Sequence, residues 1–517
     1  MLRSFVRTPS LDVFRLLLRG WVLPAIFALL SPGATPWASG EVLLGGAARV
    51  DITNRDAGPV NGPLHARALV LKSGDASFVL ITVDAVAIGE IGHIDNEYLS
   101  RVRDRLQQEL GIAPANVIAN ASHCHGIVCR DVDERTVEAV RLAAAQMVPV
   151  TIGTGTGYED RIMENRRLRL KSGRTVDVRH AYSLPPDDDV AEVGPVDPQI
   201  GVLRIDRVSG GTLAVVYNFA CHPIQGMPGG PNTADITGFS SQVIEDNLGP
   251  GCTALFVQGC GGDINPVFYK DVDHPRSAEP LGNMLGLSTL KAVRSIECSA
   301  DSRLQVQSEM LALPRGDRTD RIVQLEAEQL ELLRSLRGTS LSLKTFMPLA
   351  VKHGLSKDFP SYYSHRYLHD DAIGRSDLRS LDAENRRNLE AYMKNIHVME
   401  ELTRLQTNLT LLRKHQAEFV AAGSRTVDVE LTAVRIGDFV MVTFPGELTV
   451  QIGLNLKEQS PHKPTFVAGY TNGYIYYAPT TEQLLNVGGA QEDSDCILDA
   501  DWQPVFESKA IEMLKKL

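Results

Sequence analysis

The chain has 517 residues, 43% hydrophobic, 22% charged and 6% aromatic, and its 52 Lys plus Arg against 63 Asp plus Glu leave a net charge of −11. This is an ordinary soluble globular composition, and because single cores stop growing at about 250–300 residues it predicts two or more compact units. An acidic balance without a Lys/Arg-rich block gives nucleic acid and anionic lipid no electrostatic footprint, unless a local basic patch hides in the average.

Residues 1–40 read as a secretory leader. Arg3, Arg7, Arg15 and Arg19 precede the apolar run Trp21–Leu30, and small residues follow through Gly40. The run is too short to span a bilayer and Pro24 interrupts it, so a secreted or periplasmic protein is expected, with an uncleaved N-terminal membrane anchor as the alternative. Export permits disulfides, yet seven cysteines spread thinly through the chain imply no disulfide framework.

From residue 41 to 315 short β-branched runs alternate with helical stretches, the pattern of an α/β unit. Strands are predicted at Phe78–Val83, Val117–Asn120, Leu213–Phe219 and Thr253–Gln258, and helices at Glu97–Leu110 and Phe239–Leu248, ended by Gly111 and Gly249. Residues 316–420 change to Leu/Glu/Arg-rich helical stretches, notably Arg321–Leu336 and Glu384–Phe419. They read as a helical insertion whose Tyr- and His-containing middle, His353–His369, is either a lid or a solvated connector. Strand-like runs return at Thr426–Ile436, Phe439–Phe444 and Thr465–Gly469, within a second part of the same domain over 421–517. No internal repeat is visible in the sequence. The alternating glycines from Gly153 to Gly157 follow a strand-like run but lack the helix start and acidic partner of a dinucleotide site.

The informative polar residues fall at strand ends. His123 and His125 follow one strand, and in extended chain residues two apart project to the same side. His222 follows a second strand, Glu447 a third, Asp263 and Asn265 a fourth, and Tyr477 a fifth. Ligands of open α/β sheets sit at the carboxyl ends of strands, so one metal-capable side chain on each predicts a common site. Imidazole, carboxylate and phenolate suit a borderline cation such as Zn2+, which would activate a water. Asp263 and Asn265, in a glycine-rich turn, either face that site or cap backbone amides. Cys260, at a strand-to-turn junction, is the competing nucleophile, whereas Cys124 is expected to pack inward.

Taken together, these motifs resemble the neutral (non-lysosomal) ceramidase family over about Gly45 to Asp493. Ala121–Gly126 is similar to the family segment whose first His binds zinc and whose second lies beside the reacting centre, which implies those roles for His123 and His125. Asn218–Pro223, Pro445–Glu447 and Asn472–Thr480 resemble the segments supplying the remaining ligands, here His222, Glu447 and Tyr477, with Tyr474 nearby. Asn165–Arg166 resembles a pair whose Arg lines the site, and Asp235 lies in a further family segment. The chain departs from the family where Asn265 replaces a serine, where Gly488–Ala490 replaces a tyrosine, and in ending at Leu517 before a C-terminal β-sandwich. An amide cannot serve as nucleophile, so attack falls to water.

The resemblance implies an α/β, mixed-sheet catalytic domain without that β-sandwich. The expected function is zinc-dependent hydrolysis of an amide in a small-molecule or lipid-like N-acyl substrate, with the substrate presented at a membrane surface. His125 would then pass the proton, Arg166 and Asn265 would steady the oxyanion, and Asp263 would orient the turn. A zinc-dependent esterase or phosphoesterase, and a non-catalytic zinc-containing exported binding protein, are the alternatives.

Overall fold

The computed structural model describes residues 42–178, 184–226, 229–269, 271–486 and 489–517; the leader read into residues 1–40 lies outside them. Three stretches of chain repeat one order of elements. The first runs β1 (Leu44–Asp51), β2 (His65–Ser73), β3 (Ala76–Val83), α1 (Tyr98–Leu110), β4 (Val117–Ala121) and α2 (Val132–Ala145). The second runs β5 (Val148–Tyr158), β6 (Gln199–Arg207), β7 (Thr212–Phe219), α3 (Asp235–Leu248), β8 (Thr253–Gln258) and α4 (Glu279–Ser295).

The third begins with β9 (Leu304–Pro314), is interrupted by α5 (Thr319–Ser335), α6 (Leu343–Leu355), α7 (His365–Ala372) and the 46-residue α8 (Asp377–Ala422), and then resumes. It continues through β10 (Thr426–Ile436), β11 (Phe439–Thr443), α9 (Val450–Gln459), β12 (Phe466–Ala468) and a last helix, Trp502–Leu514. In each stretch the first three strands pair antiparallel, while the third and fourth pair parallel across a helix, as β3 with β4, β7 with β8 and β11 with β12. A parallel pair needs such a crossover.

The first two stretches join edge to edge in one eight-stranded mixed sheet, ordered β8-β7-β6-β5-β1-β2-β3-β4, and the third forms a four-stranded sheet, β9-β10-β11-β12. In the larger sheet β3 and β7, and even the edge strands β4 and β8, are buried on both faces, which suits strands sandwiched between layers. One continuous core gathers residues from β2, β3 and β4 together with β10, β11 and the last helix. Residues 41–517 accordingly form one compact unit, not the two or more expected from length alone. The limit on core growth is met here by several sheet–helix layers sharing interfaces, with separate clusters on other faces.

Helix α1 stops where expected, Gly111 adopting a left-handed φ of 68° and returning its N–H to the Gln107 carbonyl. The glycines of β5 have a packing role. A Cβ at Gly153 would lie 2.4 Å from the Glu297 carbonyl oxygen and one at Gly155 2.6 Å from the Ile296 side chain, so their absence lets the chain after α4 close onto the strand.

The position of the site follows from how the fourth strands meet. Asn120 Oδ1 accepts from the Gln258 N–H at 2.9 Å, and Asn120 Nδ2 donates to the Gly469 carbonyl at 2.8 Å. Gly469 N–H donates to the Gln258 carbonyl at 3.1 Å, and Ala121 N–H to that of Tyr470 at 3.0 Å. The carboxyl ends of β4, β8 and β12 are thereby tied to one another. The helices α5–α8 occupy the connection between the antiparallel neighbours β9 and β10, and α8 reaches back to the same region.

Candidate metal centre

Among the described residues, one cluster has the composition of a cation site: His123, His222 and Glu447, all buried, with ligand-capable atoms within 4.8 Å of one another. Each comes from a different repeated stretch. His123 follows β4, His222 follows β7, and Glu447 opens a two-residue strand, Glu447–Leu448, paired in parallel with Tyr477–Ala478. His123 adopts a left-handed φ of 67°, held by its N–H donating to the Ala85 carbonyl at 2.9 Å. A non-glycine residue there is strained, a state that clusters at functional sites.

A backbone carbonyl sits against the Nδ1 of each ring. His123 Nδ1 lies 2.6 Å from the Val86 carbonyl oxygen and His222 Nδ1 3.0 Å from that of Ile264. A carbonyl only accepts, so each Nδ1 carries the proton. Burial pushes the His123 pKa down to about 4, making that ring neutral at pH 7 with a lone pair on Nε2. Both Nε2 atoms face Glu447 Oε2, at 3.1 Å from His222 and 3.5 Å from His123. For His123 a neutral imidazole nitrogen then faces a carboxylate oxygen, two acceptors in opposition, which a shared cation resolves.

Two phenols hold the carboxylate from the far side. Tyr470 donates to Glu447 Oε2 at 3.2 Å, and Tyr474 donates to Oε1. Burial, then the Glu447 charge, then the neighbouring Tyr477 raise the pKa of both well above the usual phenol value. Tyr470 also places its ring 4.3 Å from that of His123, centroid to centroid. Tyr470, Asn472 and Tyr476 take positive φ values of 52°, 62° and 64°. Tyr470 was not nominated from sequence, although its place directly after the β12 strand end was the available signal.

The remaining sequence candidates surround this cluster. Tyr477 is buried and lies beside Arg166, whose Cζ is 5.6 Å from the ring centroid. His125 has its ring 5.5 Å from that of His123, but the expectation that the pair projects to one side is corrected: His123 is buried and His125 is exposed. The left-handed turn at His123 breaks the extended alternation on which that expectation rested.

Arg166 is fully buried. Its Nε lies 2.6 Å from Glu492, its Nη1 donates to Asn265 Oδ1 at 3.0 Å, and its Nη2 donates to the Gly262 carbonyl. Asp263 takes the capping alternative, Oδ1 accepting the Val450 N–H at the start of α9 at 2.8 Å. Arg167 pairs with Asp493 at 2.7 Å. Sequence reasoning missed Glu492, which lies in a short polar stretch with no distinguishing pattern. Asp235 is buried, accepting the backbone N–H groups of Gln225, Gly226 and Ile236.

The rival thiol does not fit. Cys260 is buried, burial pushes its pKa up, and its sulfur packs where a Cβ on Gly453 of α9 would fall, 2.7 Å away. All seven cysteines are free thiols, and Cys124 is buried as expected.

Helix α8 buttresses the site's outer wall. Lys414 Nζ contacts the Tyr476 hydroxyl at 3.0 Å, His415 Nε2 contacts Asp495 at 2.8 Å, and Asn408 donates to the Gly489 carbonyl at 2.9 Å.

The molecule is thus a mixed α/β protein with a buried His–His–Glu cluster at the meeting point of strand ends. Its fold is that of neutral ceramidase. The crystal structure of neutral ceramidase from Pseudomonas aeruginosa matches with a TM-score of 0.57 at 14% identity, covering 92% of this chain and 75% of that one. A ceramidase complexed with C2 matches with a TM-score of 0.56 at 16% identity over the same shares. No protein-family model matches the chain, and no curated protein matches its sequence.

Proposed function

We propose that the protein is a divergent, exported member of the neutral ceramidase family: a zinc-dependent hydrolase that cleaves the amide bond of a lipid-like N-acyl substrate. The observation that carries this reading is the convergence of two buried imidazole Nε2 atoms on the Glu447 carboxylate, with both Nδ1 atoms tied to backbone carbonyls. His123, His222 and Glu447 would hold the ion, and Tyr477, paired in register with Glu447, would complete its shell. Zinc bound there supplies Lewis acidity and a water of lowered pKa.

The chain's own groups do the rest. Tyr470 and Tyr474 fix the orientation of Glu447. His125, exposed beside the buried His123 ring, is placed to carry a proton between solvent and the departing amine. Arg166 accounts for Asn265 Oδ1, which leaves the amide nitrogen of Asn265 as the donor for developing negative charge. The likeness to a ceramidase complexed with C2 supports a substrate of the N-acyl class.

Purified protein given a panel of N-acyl, ester and phosphoester lipids tests this. Amide turnover should disappear with chelator and return on adding zinc. Turnover confined to esters or phosphoesters would assign a different bond, and zinc binding without any turnover would make the protein a binding module.

A further inference from the structure

Helix α6 has two apolar faces, and the fold covers only one. On the inner face Phe346 is buried and stacks on Tyr392 of α8, with centroids 4.5 Å apart. On the outer face Leu343, Met347, Val351 and Leu355 recur every fourth residue, at 62%, 53%, 55% and 83% exposure. That spacing makes a single stripe along the helix, and a helix apolar all round is normally buried.

The charge around the stripe opposes the average of the chain. From Leu332 to Lys357 there is no Asp or Glu, while Arg334, Arg337, Lys344, Lys352 and Lys357 all fall inside, on a chain of net charge −11. Among the described residues none of the five forms an ion pair. Just beyond the helix Tyr362 and Tyr363 are 81% and 54% exposed, with Lys352 Nζ 4.4 Å from the first ring centroid and Arg366 Cζ 5.4 Å from the second. The sequence average had concealed a local basic patch.

We propose that α6 and the Tyr362–Tyr363 turn form a docking face for an anionic lipid bilayer, the helix lying flat in the headgroup region with its aliphatic stripe inserted, cations toward acidic headgroups and tyrosines at the interface. No helix among the described residues is long and apolar enough to cross a membrane, and α6, with only 13 residues, would lie on the surface. A protein groove that engulfs a basic amphipathic helix needs both its sides, and α8 holds one. A second copy meeting this face through a twofold axis would set the α6 cations Lys344 and Lys352 against their own copies. A flat anionic surface meets neither obstacle. The docking face is independent of the metal centre, so loss of turnover leaves the inference standing.

The test is co-sedimentation of the full chain with vesicles of phosphatidylcholine, with and without phosphatidylglycerol. The wild type should pellet with the doped vesicles and be released by salt. Met347→Asp with Val351→Asp should weaken partitioning roughly tenfold or more, with unchanged circular dichroism. Lys344→Glu with Lys352→Glu should erase the preference for doped vesicles. All variants keep the same N-terminal segment, so differences between them report α6 alone. Equal partitioning of wild type to both vesicles, or unchanged partitioning of the Asp variant, would overturn the inference. So would a dimer, seen by light scattering without vesicle binding and abolished by the Asp variant.

Discussion

Around Arg166 and Arg167, buried cations meet buried carboxylates: Arg166 lies 2.6 Å from Glu492, and Arg167 lies 2.7 Å from Asp493 and 3.8 Å from Asp263. Around Glu447, a buried carboxylate meets two imidazole Nε2 atoms, at 3.1 Å and 3.5 Å, and two phenols that donate to it. The two clusters adjoin, Arg166 standing over the ring of Tyr477. The arginine cluster pairs its cations with carboxylates of the chain itself and so ties the loops together. The Glu447 cluster gathers two imidazoles and a carboxylate of ligand type, the donor set of a cation site. Burial alone therefore does not mark the functional group; the ligand chemistry of the side chains that face one another does.

That contrast predicts different failures on the two sides. Glu447→Gln, which exchanges the ligand carboxylate for an amide of the same shape, should cut kcat/KM for the N-acyl substrate on the order of a thousandfold while leaving the thermal midpoint of the metal-free protein nearly unchanged. Glu492→Gln should do the reverse, costing about 3–5 kcal/mol in urea melts because it strands the Arg166 guanidinium, with zinc affinity retained.

The pH response of the metal-free protein separates the clusters again. His123 has a folded pKa of about 4 against an ordinary 6.5. As pH falls from about 6.5 to about 4 the unfolded chain takes up a proton that the folded chain refuses, so stability should fall by up to about 3 kcal/mol. His123→Gln should flatten that part of the profile. The wild-type-minus-variant difference isolates the ring, because Asp235 and Asp493, whose pKa values burial raises to about 6, titrate in both proteins. A superimposable pair of profiles would show that His123 is charged when folded.

Smaller effects should come from the supporting groups. Tyr474→Phe should weaken zinc binding about 10–100-fold by calorimetry, since it frees one oxygen of Glu447 to reorient. Lys414→Met, which loses the contact from α8 to the Tyr476 hydroxyl, should cost about 1 kcal/mol of stability and little affinity.

Much of this was legible in the sequence. The strands at Val117–Ala121, Thr212–Phe219 and Thr253–Gln258 are buried on both faces, and His123, His222 and Glu447 each come shortly after the third or fourth strand of a stretch. The left-handed turn at His123 was not legible, because it is imposed by a long-range bond to Ala85 and not by local preference. Nor was Glu492, whose role depends on Arg166, more than three hundred residues away in the chain. The threefold recurrence of elements leaves no repeat in the sequence. It is a recurrence of order and pairing with different side chains and with insertions of unequal length, the longest carrying α5–α8 between β9 and β10.

The central claim is that His123, His222 and Glu447 hold one metal ion, and metal content measures it most directly. Purified protein dialysed against zinc and analysed by mass spectrometry should retain one zinc per chain, and His222→Ala with an intact melting transition should retain none. A wild type that holds no zinc, or a His222→Ala protein that holds as much as the wild type, would contradict the account.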